Sequence, residues 1–362
     1  MKKPPLIWLN LFIFIGSALI ALVGAPMWAY QVGFSGIEIG VFVAFILMSG
    51  LSITAGYHRL WSHKAYQANP VVRFVFALGG ALALQNSALH WSSDHRRHHK
   101  HVDDNEKDPY SAKMGFFYSH IGWMIREYHS QIYHDYSNCK DLKKDKIVQW
   151  QHKHYLKLAF FMNILLPMII GYFTGSVLGM LILAGVTRLF LVHHSTFFIN
   201  SLAHIWGRQP YTARNTAMDN DLLALLTFGE GYHNFHHIFE YDYRNGIRWY
   251  QFDPTKWLIW ALSKVGLANK LRRTPQERIE AAKAKMQLQR QTELARKLGD
   301  QSLLEVLEAE YEVLVERLTA YYQAKREKLG KDSQQKLAQL KQALQQQQQL
   351  WRQLQLQLPQ RA

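Results

Sequence analysis

The sequence predicts an all-α integral membrane protein. It reads as four transmembrane helices in two hairpins, a cytoplasmic histidine-rich cap, and a helical coiled-coil tail. Three observations carry this. Four long apolar runs are almost free of charge. The polar segments between and after them hold three histidine motifs that the two hairpins bring to one side. From about Thr274 the composition turns to charged residues and Gln. The expected division is residues 1–273 for the membrane part with its cap and 274–362 for the tail.

Each element follows from its residues. Leu6 to Gly24 is uncharged and long enough to cross a bilayer as a helix. No small-residue cleavage site closes it and a second apolar run follows soon after, so it is a span and not a signal peptide. Pro26 to Gly36 carries no Lys or Arg and reads as the link to Ile37–Ala55, the second span, in which only Glu38 is charged. Lys2, Lys3, Arg59 and Lys64 lie on the opposite side from that link, the side that the positive-inside rule makes cytoplasmic. Val71–Leu89 is apolar too. As a fifth span it would part HRLWSH from DHRRHHK, so it is expected to lie against, or dip into, the cytoplasmic face. Leu156–Tyr172 and Ser176–Leu191 form the second hairpin around Phe173–Gly175, with Lys157 and Arg188 able to snorkel to the cytoplasmic interface. Both termini are then cytoplasmic. In the tail, apolar residues recur at Leu307, Tyr311, Leu314, Leu318 and Tyr321, and again at Leu337, Leu340, Leu344, Trp351 and Leu354. Steps of four and three describe a coiled-coil seam, with itself or a partner, broken near Gly330.

Composition narrows the chemistry. The 362 residues carry a formal charge of +15, yet no nucleic-acid motif appears, and the apolar runs favour anionic membrane surfaces instead. A mean hydropathy of −0.19 looks soluble only because the polar tail dilutes the spans. The single cysteine, Cys139, excludes a disulfide framework and thiolate-rich metal sites. A metal here is held by histidine and oxygen.

The histidines fall in a pattern. His95, His98 and His99 stand at i, i+3 and i+4 in DHRRHHK, which is one face of a helix. His233, His236 and His237 repeat the spacing in GEGYHNFHH. HRLWSH adds His58 and His63. Five residues apart on a regular helix, they are rotated about 140° from each other and reach two neighbouring ions more readily than one. His204 is the ninth imidazole, and Asn200 one turn earlier offers an oxygen directly or through water. Divided between two ions, nine histidines give four or five nitrogens each. Two iron ions with O2 as oxidant suit this donor set. The remaining histidines, His90, His101, His120, His129, His134, His152, His154, His193 and His194, match no such pattern and read as surface or hydrogen-bonded residues.

HRLWSH, DHRRHHK, NSLAH and GEGYHNFHH together resemble the motif set of membrane fatty acyl desaturases, and most of all the acyl-CoA (stearoyl-CoA, delta-9) desaturases. The resemblance covers roughly Leu6 to Lys270 and leaves out the tail. It implies an O2-dependent diiron enzyme that places a cis double bond, at delta-9, in a saturated acyl chain with two external electrons. It implies the nine motif histidines as ligands, and Asn200 as a ligand through water. By position, Gln85, Asn86, Trp91 and Asp94 match substrate residues. Ser93, however, replaces an arginine of the animal members, and Glu127 with Tyr128 replaces a basic pair. The carrier is therefore open between CoA and a lipid. The resemblance also implies an external donor, a ferredoxin or a cytochrome with its reductase. Two other readings use the same residues: a fatty-acyl hydroxylase on this scaffold, and a metal-binding membrane protein without redox chemistry.

Overall fold

The computed structural model describes residues 4–299, 301–326 and 331–357. Lys2, Lys3 and Gly330 lie outside the described residues. Four helices are long and apolar enough to cross a membrane: α1 (Trp8–Gln31), α2 (Gly36–Ser62), α5 (Lys146–Thr174) and α6 (Val177–His204). Between α2 and α5 stand α3 (Pro70–Ala83) and α4 (Ala88–His101). After α6 come the short helices α7 (Asp221–Leu226) and α8 (His233–Ile238), then α9 (Pro254–Lys264). The described chain divides into two compact units, Met1–Arg208 with Asn215–Arg273, and Gln209–Arg214 with Thr274–Ala362.

The spans run further than the apolar runs that announced them. Pro26 does not end α1, because a π-helical turn at Ile20–Gly24 precedes it and the helix restarts at Ala25. A proline ring clashes with the carbonyl one turn back, and a wider turn relieves that clash. Pro167 sits likewise after a π-helical turn at Phe161–Leu165. The first connecting loop therefore shrinks to Val32–Ser35. There Ser35 and Glu38 cap α2 reciprocally, and Glu38 also accepts from Ser176 Oγ at 2.7 Å. A charge that seemed to interrupt an apolar run thus closes a helix and ties the two hairpins together. α5 begins at Lys146, well before Leu156, because Asp145 accepts from the N–H groups of Ile147 and Val148.

The Val71–Leu89 stretch is two helices. α3 and α4 meet at 80°, with Leu84 and Asn86 in left-handed backbone at φ 51° and 71°. A helix end placed among spans must have its carbonyls satisfied from within. Three side chains do so: Arg188 donates to Leu82 O (2.7 Å), Asn163 to Ala81 O (3.1 Å) and His193 to Ala83 O (3.1 Å), while Gln151 adds a bond to Ala77 O (2.7 Å) within the helix. Ser87 caps the start of α4. Since His63 at the end of α2 and His95 in α4 face each other at 2.8 Å, α3 dips in and returns instead of crossing. Arg188 consequently does not snorkel. It is wholly buried, because the broken helix end needs its hydrogen bonds.

A two-stranded antiparallel ladder, β1 (Gln67–Ala68) with β2 (Ala268–Asn269), ties the segment after α2 to the end of the first unit. In the second unit α10 (Gln276–Leu298), α11 (Gln301–Arg326) and α12 (Lys331–Gln357) pack through Ala284, Ala295, Leu307, Leu314, Leu318, Leu344 and Trp351. Of the seam positions, Leu307, Tyr311, Leu314, Leu318 and Tyr321 in the first block and Leu344, Trp351 and Leu354 in the second pack in this core. α10, which showed no seam in the sequence, is the third partner. Gln209–Arg214 joins this unit because Arg290 donates to Gln209 O (2.8 Å) and Lys283 lies over the Tyr211 ring.

Candidate metal centre

The nine motif histidines come from α2, α4, the turn ending α6, and α8, and they meet at one end of the spans. His58, His63, His95, His99 and His236 form one group, and His98, His204, His233 and His237 form a second. Within each, one ligand atom per residue lies within 4.8 Å of every other. The two HxxHH motifs divide in the same way: the first and last histidine go to one group and the middle one to the other. None of the nine histidines set aside in the sequence joins either group among the described residues. His193 caps α3, and His120 Nε2 lies 3.0 Å from His194 Nδ1.

His58 and His63 share a group, against the expectation that they serve two ions. The reason is the backbone. Ser52–Ser62 is π-helical, and His63 N donates to His58 O at 3.1 Å. An i→i+5 hydrogen bond stacks the fifth residue on the first. The 140° rotation of a regular helix does not apply.

The ring nitrogens are sorted. Nε2 atoms point inward and approach in pairs: His58–His236 at 2.9 Å, His63–His95 at 2.8 Å, His99–His236 at 3.0 Å, His204–His233 at 3.1 Å, His233–His237 at 3.0 Å and His98–His237 at 3.3 Å. The Nδ1 atoms of five rings point outward to oxygens, whereas those of His233 and His236 are buried without a partner. His58 Nδ1 lies 2.9 Å from Glu230, His98 Nδ1 2.9 Å from Asp108, His99 Nδ1 3.1 Å from Glu240, His95 Nδ1 3.2 Å from Tyr110 Oη and His204 Nδ1 2.8 Å from Thr216 Oγ1. A carboxylate accepts, so His58, His98 and His99 carry their proton on Nδ1 and aim lone pairs inward. Burial, then the neighbouring imidazoles, hold His63, His233, His236 and His237 well below the usual histidine range, so they are neutral and ligand-competent. Lone pairs converging at these distances repel unless a cation lies among them. The donor set fits a metal that accepts four or five imidazoles.

The family described as fatty acid desaturase matches residues 37–268. The chain belongs to the fatty acid desaturase family. It is 43% identical over 277 residues to the "Probable acyl-CoA desaturase" of Schizosaccharomyces pombe, covering 75% of this chain and 56% of that one. It is 42% identical over 282 residues to "Acyl-CoA desaturase 1" of Saccharomyces cerevisiae, covering 76% and 53%. The chain thus spans about half the length of these two relatives. The "sn-2 palmitoyl-lipid 9-desaturase" of a Nostoc species is 34% identical over 281 residues, covering 76% and 93%. With four membrane-capable helices, this desaturase-family chain is a membrane protein.

Of the other residues singled out in the sequence, Trp91 lies against motif histidines. Trp91 stacks on His95 with ring centroids 4.8 Å apart and lies 6.0 Å from His58. Asp94 pairs with His90 and Arg97. Gln85 Nε2 donates to Thr196 Oγ1 (2.8 Å), and Asn86 Nδ2 to Tyr133 Oη (3.2 Å). Asn200 sits half-buried on α6, four residues before His204. Ser93 is buried and spends its hydroxyl on Asn138 (2.8 Å).

The orienting carboxylates went unforeseen. Glu230 stands inside GEGYHNFHH itself, and Asp108 follows the DHRRHHK helix. Glu230 is the hub: Arg59 Nη2 (2.8 Å) and Asn245 Nδ2 (2.6 Å) also donate to it. Burial pushes its pKa up, but Arg59 and His58 outweigh that and bring it down to about 2. Arg59 reaches Asp253 as well, so the HRLWSH turn is locked to the segment after α8 by a buried ionic network. Glu240 is half-exposed, and its contact with His99 lowers its pKa.

Proposed function

We propose that the chain is an O2-dependent fatty acyl desaturase that acts on acyl-CoA and makes a cis, delta-9 double bond. The observation that carries this is the division of nine imidazoles into groups of five and four within the region that the desaturase family matches. Two iron ions held by these groups would supply O2 activation: the acyl chain loses two hydrogens, and O2 becomes two waters with two electrons and two protons. The chain's own residues do the rest. His58, His63, His95, His99 and His236 are proposed to hold one ion. His98, His204, His233 and His237 hold the other, with Asn200 binding through water. Glu230, Asp108 and Glu240 fix the rings so that Nε2 faces inward, which keeps the donors in place before and during turnover. Trp91, stacked on His95, closes the five-histidine side to water and offers an apolar wall for the acyl chain. Gln85, Asn86 and Asp94 are proposed to line the substrate's path.

The histidine end and both termini are proposed to face the cytoplasm, supported by Arg59, Lys64 and Lys157 near that end. There an external ferredoxin or cytochrome, with its reductase, supplies the electrons. A chain of charge +15 steers an acidic donor, so reduction rates should fall as salt rises. The second unit is proposed as a separate helical module, 274–362, outside the chemistry.

The test is turnover of purified protein with a reduced donor and two substrates, stearoyl-CoA and stearoyl-phosphatidylcholine. Monoene formed from stearoyl-CoA, with O2 consumed, supports the reading. Monoene from the phospholipid alone moves the carrier to a lipid. A hydroxy acid makes it a hydroxylase, and iron-free protein that consumes no O2 makes it a non-redox metal protein.

A further inference from the structure

Away from the histidines, the segment after α6 exposes large apolar side chains in two neighbouring places. α7 buries Leu223 and Ala224 but exposes Leu222, Leu225 and Leu226. α9 buries Thr255 and Ile259 but exposes Trp257 and Trp260, with Trp249 and Tyr250 exposed just before it. Soluble surfaces seldom carry such a grouping without a partner.

The contacts of these helices fix their depth. The Phe228 ring, two residues after α7, lies against Gly50 of α2 so closely that a Cβ there would sit 2.2 Å from it. Leu226 O accepts from Ser195 Oγ of α6 at 2.5 Å. Thr255 at the start of α9 pairs with Thr54 of α2 at 2.7 Å and donates to Phe228 O at 2.9 Å. At about 1.5 Å per residue, Gly50 lies about 21 Å along α2 from Gly36, while Thr54 and Ser195 lie about 27 Å from the far ends of their spans. The hydrocarbon core is about 30 Å thick. Both helices are therefore held at the rim of the hydrocarbon layer, not above it. The side chains grade accordingly. Leucines occupy the part pinned to Gly50 and Ser195, and tryptophans the part pinned to Thr54. Cations flank the aromatic rings, Lys264 5.4 Å over Trp260 and Arg248 5.8 Å over Tyr250. Tryptophan and tyrosine favour the headgroup level, and Lys and Arg reach from there to phosphate.

We propose that α7 and α9, with residues 249–250, form a collar seated in the bilayer leaflet on the histidine side. Leu222, Leu225 and Leu226 lie among acyl chains, and Trp257 and Trp260 at the glycerol–phosphate level. The occupant of this face is lipid of the bilayer that the spans cross. The collar binds the cap to the leaflet, so the histidine centre stands at the membrane surface with no aqueous gap beneath it on this side. The proposal rests on the spans alone and holds or fails independently of the catalytic reading.

The test uses the full, unaltered chain in vesicles of phosphatidylcholine and phosphatidylglycerol. A trace of phosphatidylcholine carries a photoreactive diazirine on an acyl chain, and adducts are mapped by mass spectrometry. Adducts on 222–226 at yields matching the lipid faces of the spans are expected. A headgroup-proximal diazirine should label 257–260. Adducts confined to the four spans overturn the proposal. A second measurement places nitroxides at Leu225→Cys and Trp260→Cys in a Cys139→Ser background. The ratio of collisions with O2 to those with a water-soluble nickel chelate should be several-fold above that at Lys143→Cys. A ratio equal to the Lys143→Cys reference means water. Protection from both reagents means a protein partner or second copy. Either result overturns the proposal.

Discussion

Replacing Asp108 by Asn should loosen one metal and spare the other. The Asp108 carboxylate is fully buried, with Oδ1 2.9 Å and Oδ2 3.0 Å from His98 Nδ1. Its oxygens also accept from the N–H groups of Tyr110 and Asp103, each at 3.2 Å. An Asn side chain keeps the shape but loses the charge that makes His98 a better donor. It must also turn its NH2 toward a group that is itself a donor. Loss of such an outer partner costs about 10–100-fold in metal affinity, which is about 1.4–2.8 kcal/mol. Among the described motif histidines Asp108 holds His98 alone, and His98 belongs to the four-histidine group. The five-histidine group has its own carboxylates, Glu230 on His58 and Glu240 on His99. The assay is iron per chain, by elemental analysis, after equilibration with chelators of increasing strength. In Asp108→Asn one iron should leave at about 10–100-fold weaker chelation than in the wild type while the second leaves unchanged. Tyr110→Phe, which removes the hydroxyl on His95, should shift the other iron, and by less. If Asp108→Asn moved both irons equally, or neither, the division into two independently supported groups would be wrong.

Other expectations follow from single contacts. Arg188→Met leaves Leu82 O and Asn163 Oδ1 without their donor, at about 1–3 kcal/mol each. The thermal midpoint of the purified protein should drop clearly, and an unchanged midpoint would show that the end of α3 needs no such cap. Gly80→Ala puts a Cβ 2.2 Å from the Tyr57 ring, beside the π-helical turn that carries His58. Overpacking of this kind costs about 1–3 kcal/mol, and both the midpoint and iron retention should fall together. The metal-free protein should lose stability as pH falls below 6.5. His63, His233, His236 and His237 stay neutral when folded, whereas the unfolded chain takes up protons there, so acid favours unfolding. A melting midpoint flat from pH 7 to 5 would contradict the depressed values.

The nine histidines were legible because one spacing recurs and because every motif falls at one end of two apolar hairpins. Their division into five and four was not, since it depends on the π-helical turn at Ser52–Ser62, and no residue there announces an i→i+5 ladder. The broken helix at Val71–Leu89 was legible only through the needs of the site. Hydropathy gives its apolarity but not Arg188, Asn163 and His193, which come from elsewhere in the chain to satisfy its carbonyls. The same remoteness hid the orienting carboxylates. Glu230 is far from His58 in sequence and reaches it only because Arg59, Asn245 and Asp253 build a buried network around it. Glu38 misled in the other direction: a charge inside an apolar run proved to be a helix cap. In the tail, the seams of α11 and α12 were visible because leucines mark them. α10 was not, because its fully buried residues in the same core are the small Ala284 and Ala295, with Leu288 and Leu294 only partly buried against it.

The most direct measurement is fatty-acid analysis by gas chromatography and mass spectrometry of a host that lacks aerobic desaturases, expressing this chain beside His95→Ala. The account predicts a new O2-dependent monoene, with its double bond at delta-9, that vanishes in the variant. Iron-loaded wild-type protein supplied with a reduced donor that yields no monoene, or a monoene that persists in His95→Ala, would contradict it.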